Sequence, residues 1–183
     1  MLRFPTLILI SLSAAMASAG ELRVSAKEPL VVSAPEKWQV LKDKAPAPAF
    51  PFDTYRVEPP GTRNAVALIT VFDQDKPEFT DPAFLKKILQ GDCQPYVSKP
   101  ADLAKLQFKE VKLTGGLGFY ANFTDPDLVG KPVQKGTYKT VTPILLCLGK
   151  KYLMKVTLLC DDLNGVDYRE LMKVVESLQI KRS

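Results

Sequence analysis

Histidine is absent from the 183 residues. That removes Ser-His-Asp and Cys-His catalysis, histidine zinc sites and any imidazole pH switch. Cysteine is scarce, at three, and tryptophan occurs once. An odd cysteine count leaves at least one thiol outside any intramolecular pair. A long apolar run is also missing: the one that starts at Leu7-Ile8-Leu9-Ile10 is too short for a typical spanning helix. So is a strong charge excess. Lys plus Arg is 25 against 20 for Asp plus Glu, a net +5. The basic residues fall in short pairs, Lys86-Lys87, Lys150-Lys151 and Lys181-Arg182, which fit a solvated surface better than a nucleic-acid or lipid footprint. Repeats and low-complexity tracts are lacking too.

What the chain does carry begins with an export pattern. Arg3 supplies a positive start, residues 7–16 an apolar stretch, and Ala17-Ser18-Ala19 a small-residue cleavage pattern. Residues 1–19 are expected to be a signal peptide and the mature chain to begin at Gly20. No cysteine stands directly after the expected cleavage site, so a diacylglyceryl anchor is not expected. The expected product is soluble, periplasmic or extracellular, with no transmembrane segment. Residues 20–183 suffice for one domain with its own core, needing neither metal nor disulfide.

Apolar patterning then predicts the elements. Residues 21–34 read as one or two short edge strands, interrupted by Pro29 and ended by Pro35. Trp38 to Leu41 is another short strand. Residues 42–61, with five prolines, read as an extended loop pinned by Phe50, Phe52, Tyr55 and Val57, with Tyr55–Val57 a possible strand. Ala65 to Phe72 is apolar on both faces, which predicts a central strand covered front and back. Asp81 and Pro82 open a helix whose stripe is Phe84, Leu85, Ile88 and Leu89, stopped by Gly91. A short helix is expected from Ser98-Lys99-Pro100 to Lys105. Phe108–Leu113 and Leu117–Phe123 form a hairpin about Gly115-Gly116. Residues 138–148 and 151–160 form a stronger one about Gly149-Lys150, with Pro143 marking a bulge or an edge. Asp167 and Glu170 have capping-box spacing, and Leu171, Val174, Val175 and Leu178 give the last helix its stripe. Successive hairpins require antiparallel pairing, so the fold class is α+β: a central antiparallel sheet with helices on both faces.

This pattern resembles the PsbP-like fold family, which includes extrinsic proteins of photosystem II and many exported bacterial proteins. The resemblance rests on Trp38-Gln39-Val40, the strand 65–72, the helix 82–90, the strand 117–123, the late hairpin with Lys150-Lys151-Tyr152 at its tip, and the helix 168–178. It spans roughly residues 22–180 and is one of pattern, without a specific motif. It implies an α/β/α sandwich used for docking and assembly, with no catalysis, no cofactor and an unidentified envelope or extracellular protein as partner.

Candidate sites follow. The aromatics expected to reach an interface are Trp38, Tyr55, Tyr120, Tyr138 and Tyr152. Asp161, Asp162, Asn164 and Asp167 offer oxygen ligands at short spacing for an ion or small ligand. Met172 stands where a calcium loop needs glutamate, so a polar turn explains them better. A disulfide, if formed, would join Cys93 to Cys147 or Cys160; buried free thiols are the competing reading for Cys147 and Cys160. A hydrolase would need paired carboxylates, and Asp73, Asp75, Asp81, Asp125 and Asp127 could meet only through the fold. Gly115-Gly116-Leu117-Gly118 lacks the lysine and helix of a phosphate loop. Asn122-Phe123-Thr124 matches a glycosylation acceptor, but within an expected strand. The leading expectation is a non-enzymatic docking protein; the alternative is a small-ligand or metal-ion binder at a sheet face beside the 42–61 or 125–136 loop.

Overall fold

The computed structural model describes residues 19–22, 30–42, 52–73 and 77–181. The export segment lies outside these residues except for Ala19, and residues 43–51 of the proline-rich stretch lie outside them too.

The large sheet grows outward from the late hairpin. β9 (Thr140–Leu148) and β10 (Tyr152–Cys160) pair antiparallel from Leu148↔Tyr152 to Thr140↔Cys160. Three residues join them, and Gly149 and Lys150 sit at φ +59° and +63°. Cys147 therefore faces Leu153, one residue beyond the position expected of a tighter turn. β5 (Val66–Asp73) runs along the other edge of β10, and β4 (Asp53–Glu58) and β3 (Gln39–Lys42) extend the sheet on that side. β4 gives the proline-rich stretch a full six-residue strand, because residues 53–58 are the interval between its prolines. On the other side β7 (Gly116–Tyr120) pairs with β9, and β6 (Lys109–Glu110) with β7. β8 (Phe123–Thr124) takes up β9 where β7 ends. Pro143 lies at that break, where its carbonyl accepts from the Ala121 N–H at 3.3 Å. A proline without an N–H is tolerated where one ladder gives way to the next. All the pairings are antiparallel.

Alternation then decides the layers. Ala67, Ile69 and Val71, Ile144, Leu146 and Leu148, and Tyr152, Met154, Val156 and Leu158 share one face and are all buried. α3 (Val166–Glu176) lies on that face and buries Leu171, Val174 and Val175. A small sheet, β1 (Ala19–Leu22), β2 (Leu30–Ser33) and β11 (Gln179–Ile180), adds Leu30 and Val32 to the same core. The Ser177 hydroxyl ties the end of α3 to β2, accepting from the Ser33 N–H and donating to its carbonyl. The opposite face carries Phe119, Leu145, Cys147 and Leu153, covered by α1 (Pro82–Asp92) through Leu85 and Leu89. At roughly 1.5–3 kcal/mol for each fully buried large side chain, both layers are needed to offset chain entropy. The result is an α+β sandwich with helices on both faces.

Three local expectations change. α1 runs past Gly91 to Asp92 and ends at Cys93, although Asp81 caps it as expected by accepting from the Ala83 N–H at 2.9 Å. α3 has Gly165, not Asp167, at its N-cap, so Asp167 lies in its first turn and caps nothing. The second short helix is the single turn α2 (Pro100–Leu103).

Candidate functional site

The two ends of the late hairpin differ. At the end where β9 begins, polar side chains are tied to one another. Arg63 precedes β5, stacks its guanidinium over Trp38 at 5.3 Å and reaches the first turn of α3. There it donates to Asp167 at 2.8 Å through Nε, and its Nη2 contacts both Asp167 and Glu170, the latter at 2.5 Å. The Glu170 and Asp167 carboxylates hold the Arg63 pKa above its ordinary value against partial desolvation. The Asn64 amide donates to Asp161 at 3.0 Å and to the Thr137 carbonyl, while its oxygen accepts from the Gly136 N–H. Asp162 accepts from the Asn164 N–H at 2.8 Å, and the Asn164 carbonyl accepts from Arg169. Of the four oxygen-bearing residues singled out from the sequence, Asp161, Asp162 and Asp167 are thus engaged through their carboxylates and Asn164 through its backbone. Among the described residues no group of three or more His, Cys, Asp or Glu side chains comes close enough to hold a metal ion.

Behind this end, the Asn122 side-chain oxygen accepts from both Thr142 (2.9 Å) and Tyr168 (3.0 Å). The glycosylation-like asparagine is a cross-link between β9 and α3. Asp125 accepts from the Asp127 N–H and sits beside the start of β9, while Asp81 caps α1 near its end. β9 is nine residues long. At about 3.4 Å per residue its ends are roughly 25 Å apart, which separates Asp125 and Asp127 from Asp73, paired with Tyr152 at the hairpin tip, by more than the 5–9.5 Å that paired acids in a glycosidase need; Asp75 lies outside the described residues.

The aromatic expectations are corrected by burial. Trp38, Tyr55 and Tyr152 are 7%, 6% and 0% exposed and belong to the α3-side core, because each points inward from its strand or turn. Tyr120 and Tyr138 are half-buried, the first under the Lys109 ammonium at 5.9 Å. The three thiols are buried and free. Cys93 and Cys147 lie in the α1-side core and Cys160 in the α3-side core, so a Cys93–Cys160 bridge would have to cross the sheet. Burial pushes the Cys93 thiol up to about 11, with the Asp92 charge adding to it, and raises Cys147 and Cys160 as well. Such thiols are poor nucleophiles.

The other end of the hairpin, on the α1 side, is open. The 3-10 turn Pro77–Thr80 that leads into α1, the turn at Gly115 between β6 and β7, and the β9–β10 turn come together there. The Gly149 N–H donates to the Gly115 carbonyl at 3.1 Å and locks two of these turns side by side. Between them lies a groove of about 360 Å³ lined by Phe79, Thr80, Gly115, Gly116, Leu117, Cys147 and Lys150. Its apolar part is Phe79, Leu117 and Cys147; its one ionic group is Lys150. Gly116 is demanded by the close approach of β7 to β9, since a Cβ there would stand 2.7 Å from the Cys147 carbonyl oxygen and 2.4 Å from Leu148. The sequence shows the turns at Gly115-Gly116 and Gly149-Lys150 but not the one at Pro77–Thr80, and it has no signal for their convergence, because residues 79, 115 and 150 meet only through strand order.

Fold and site together define an antiparallel α+β sandwich, closed over α3 and grooved beside α1. No family model matches the chain, and no curated protein matches it. Among solved structures it is similar to LpqN, a protein involved in cell envelope biogenesis of Mycobacterium tuberculosis. The likeness covers 90% of this chain and 91% of that one, at 12% identity and a TM-score of 0.47.

Proposed function

We propose that the protein is an exported, non-enzymatic docking module of the PsbP-like type that binds another envelope protein through the groove end of its α1 layer. The groove itself carries the reading. It is an open concavity walled by three turns, with an apolar floor and a charged rim, and such a surface can seat a partner's side chain. The groups a reaction would need support the non-catalytic half of the reading. The thiols are buried and held protonated, and the carboxylates between Asp161 and Glu170 are committed to Asn64, Arg63 and backbone N–H groups. The export pattern at the N-terminus supports the envelope location.

The second reading, a small-ligand binder, draws on the groove's volume, which falls at the low end of the ~300–1,000 Å³ typical of ligand sites. Site-specific photo-crosslinking in the native envelope tests the first. A crosslinker replacing exposed Glu78 or Lys112, beside the groove, is expected to trap one protein partner. The same group at exposed Lys173 on α3 is expected to trap none. Equal trapping from both faces, or none from either, would overturn the docking reading.

A further inference from the structure

The occupant of the groove can be narrowed by its chemistry, on the assumption that the docking reading holds. Phe79 and Cys147 are only 5% and 3% exposed and Leu117 is half-buried, so the apolar surface that the groove presents is small. A long acyl chain laid in it would keep much of its length in water, whereas a single apolar side chain would be covered. At the rim, the Lys150 ammonium has no ion-pair partner among the described residues. Lys150 is exposed and lines the groove together with Cys147. Lys150 also adopts φ +63°, a conformation that glycine or asparagine takes more readily.

We infer that the groove binds the C-terminal residue of a partner polypeptide, an apolar side chain resting on Phe79, Leu117 and Cys147 and the α-carboxylate paired with the Lys150 ammonium. One apolar anchor and one carboxylate on the same residue match the one floor and one cation available. Capture of a terminal carboxylate is an established mode of peptide recognition. Fatty acids share this chemistry, and their tail length distinguishes them.

The test is an amide-resolved NMR titration of the mature protein with the peptide acetyl-Gly-Ser-Leu-Phe, bearing either a free or an amidated C-terminus, and with octanoate. The free-carboxylate peptide is expected to shift Gly115, Gly116, Leu117 and Lys150, and amidation is expected to weaken binding at least tenfold. Lys150→Arg should keep that discrimination and Lys150→Gln should lose it. Lys150→Gly suits the turn's backbone and should leave the fold intact while also losing it, which separates binding from folding. Equal binding of the two peptides, shifts confined to other surfaces, no shift up to millimolar peptide, or octanoate binding more tightly than the peptide would each overturn the assignment. Crosslinking from Glu78 or Lys112 combined with any of those results would leave the docking reading standing and remove only this occupant.

Discussion

On one face of the large sheet, α3 and the three-stranded sheet lie over β5, β10 and β9, and the aromatic rings of Trp38, Tyr55 and Tyr152 close the gaps. On the other, among the described residues, α1 covers β9 and β7 with help from Phe79, Leu103, Leu106 and Phe108, and the cover gives way to an open groove at the hairpin tip. One sheet thus carries a closed layer and an incomplete one. The closed layer anchors the fold, which frees the incomplete layer to present concave surface. Loops and turns on a rigid scaffold are where binding surfaces are ordinarily found.

Leu145 and Leu146 are the sharpest way to break this comparison. They are neighbours on β9, both 0% exposed, and point to opposite faces. Leu→Ala at a buried site costs about 2–5 kcal/mol, more where the surroundings cannot collapse into the cavity. Leu146→Ala, under a core built from two sheets and a helix, is expected to cost more than Leu145→Ala. Urea unfolding of the two variants measures this, and a larger loss at Leu145 would reverse the assignment of anchor and open layer.

Gly116→Ala probes the seam between the layers. The new methyl would press on a backbone carbonyl, which cannot swing aside as a side chain does. A loss of about 1–3 kcal/mol is expected, together with NMR shifts along Gly116–Tyr120 and the facing Ile144–Leu148. If stability and spectrum stay unchanged, the groove wall is looser than its packing implies.

Alkaline pH separates the faces through their thiols. Cys93 ionises near 9.0 when unfolded and at about 11 when folded. Above pH 9 the unfolded chain releases its proton first, so stability from this group is complete below pH 9 and is lost as pH rises toward 11. The loss is about 1 kcal/mol by pH 10, from 1.36 kcal/mol per pKa unit. Under reducing conditions, Cys93→Ala should flatten the decline in urea midpoint between pH 8 and 10. An unchanged slope would mean that the thiol is not sequestered under α1.

The elements visible in the sequence are those whose register is set locally. β5, β9, β10, α1 and α3 follow from alternation or from an i, i+3, i+4 stripe, and Asp81 from its place before Pro82. What escaped depends on partners far along the chain. β11 is a two-residue strand only because β2 lies beside it. Arg63 sits in a featureless stretch, and its role appears once α3 brings Asp167 and Glu170 within reach. Trp38, Tyr55 and Tyr152 looked like surface anchors because a strand's alternation names two faces without saying which one is dry. The groove belongs to the same class, as it is a meeting of turns.

Arg63 tests the polar end of the closed layer. Arg63→Met keeps the stem over Trp38 while leaving Asp167 and Glu170 facing each other without a cation. All three side chains are about one-third exposed, at 37%, 33% and 29%, so screening holds the cost to about 0.5–1 kcal/mol. The loss should shrink in molar salt, and a salt-independent loss would point to packing on Trp38 rather than charge.

The smallest effect compares two lysines. Lys37 lies at φ +70° in the turn from Pro35 to Trp38, and Lys150 at φ +63° in the β9–β10 turn. A left-handed conformation costs a residue with a side chain about 1 kcal/mol, and glycine escapes that cost but gains freedom in the unfolded chain. Lys37→Gly and Lys150→Gly should therefore each raise stability by a few tenths of a kcal/mol. They should differ in binding: the first lies beside the closed α3-side core and should leave peptide capture untouched, while the second removes the cation from the groove rim. A parallel loss of binding in both variants would tie capture to net charge, and a loss at Lys150 alone would tie it to the place where that charge is held.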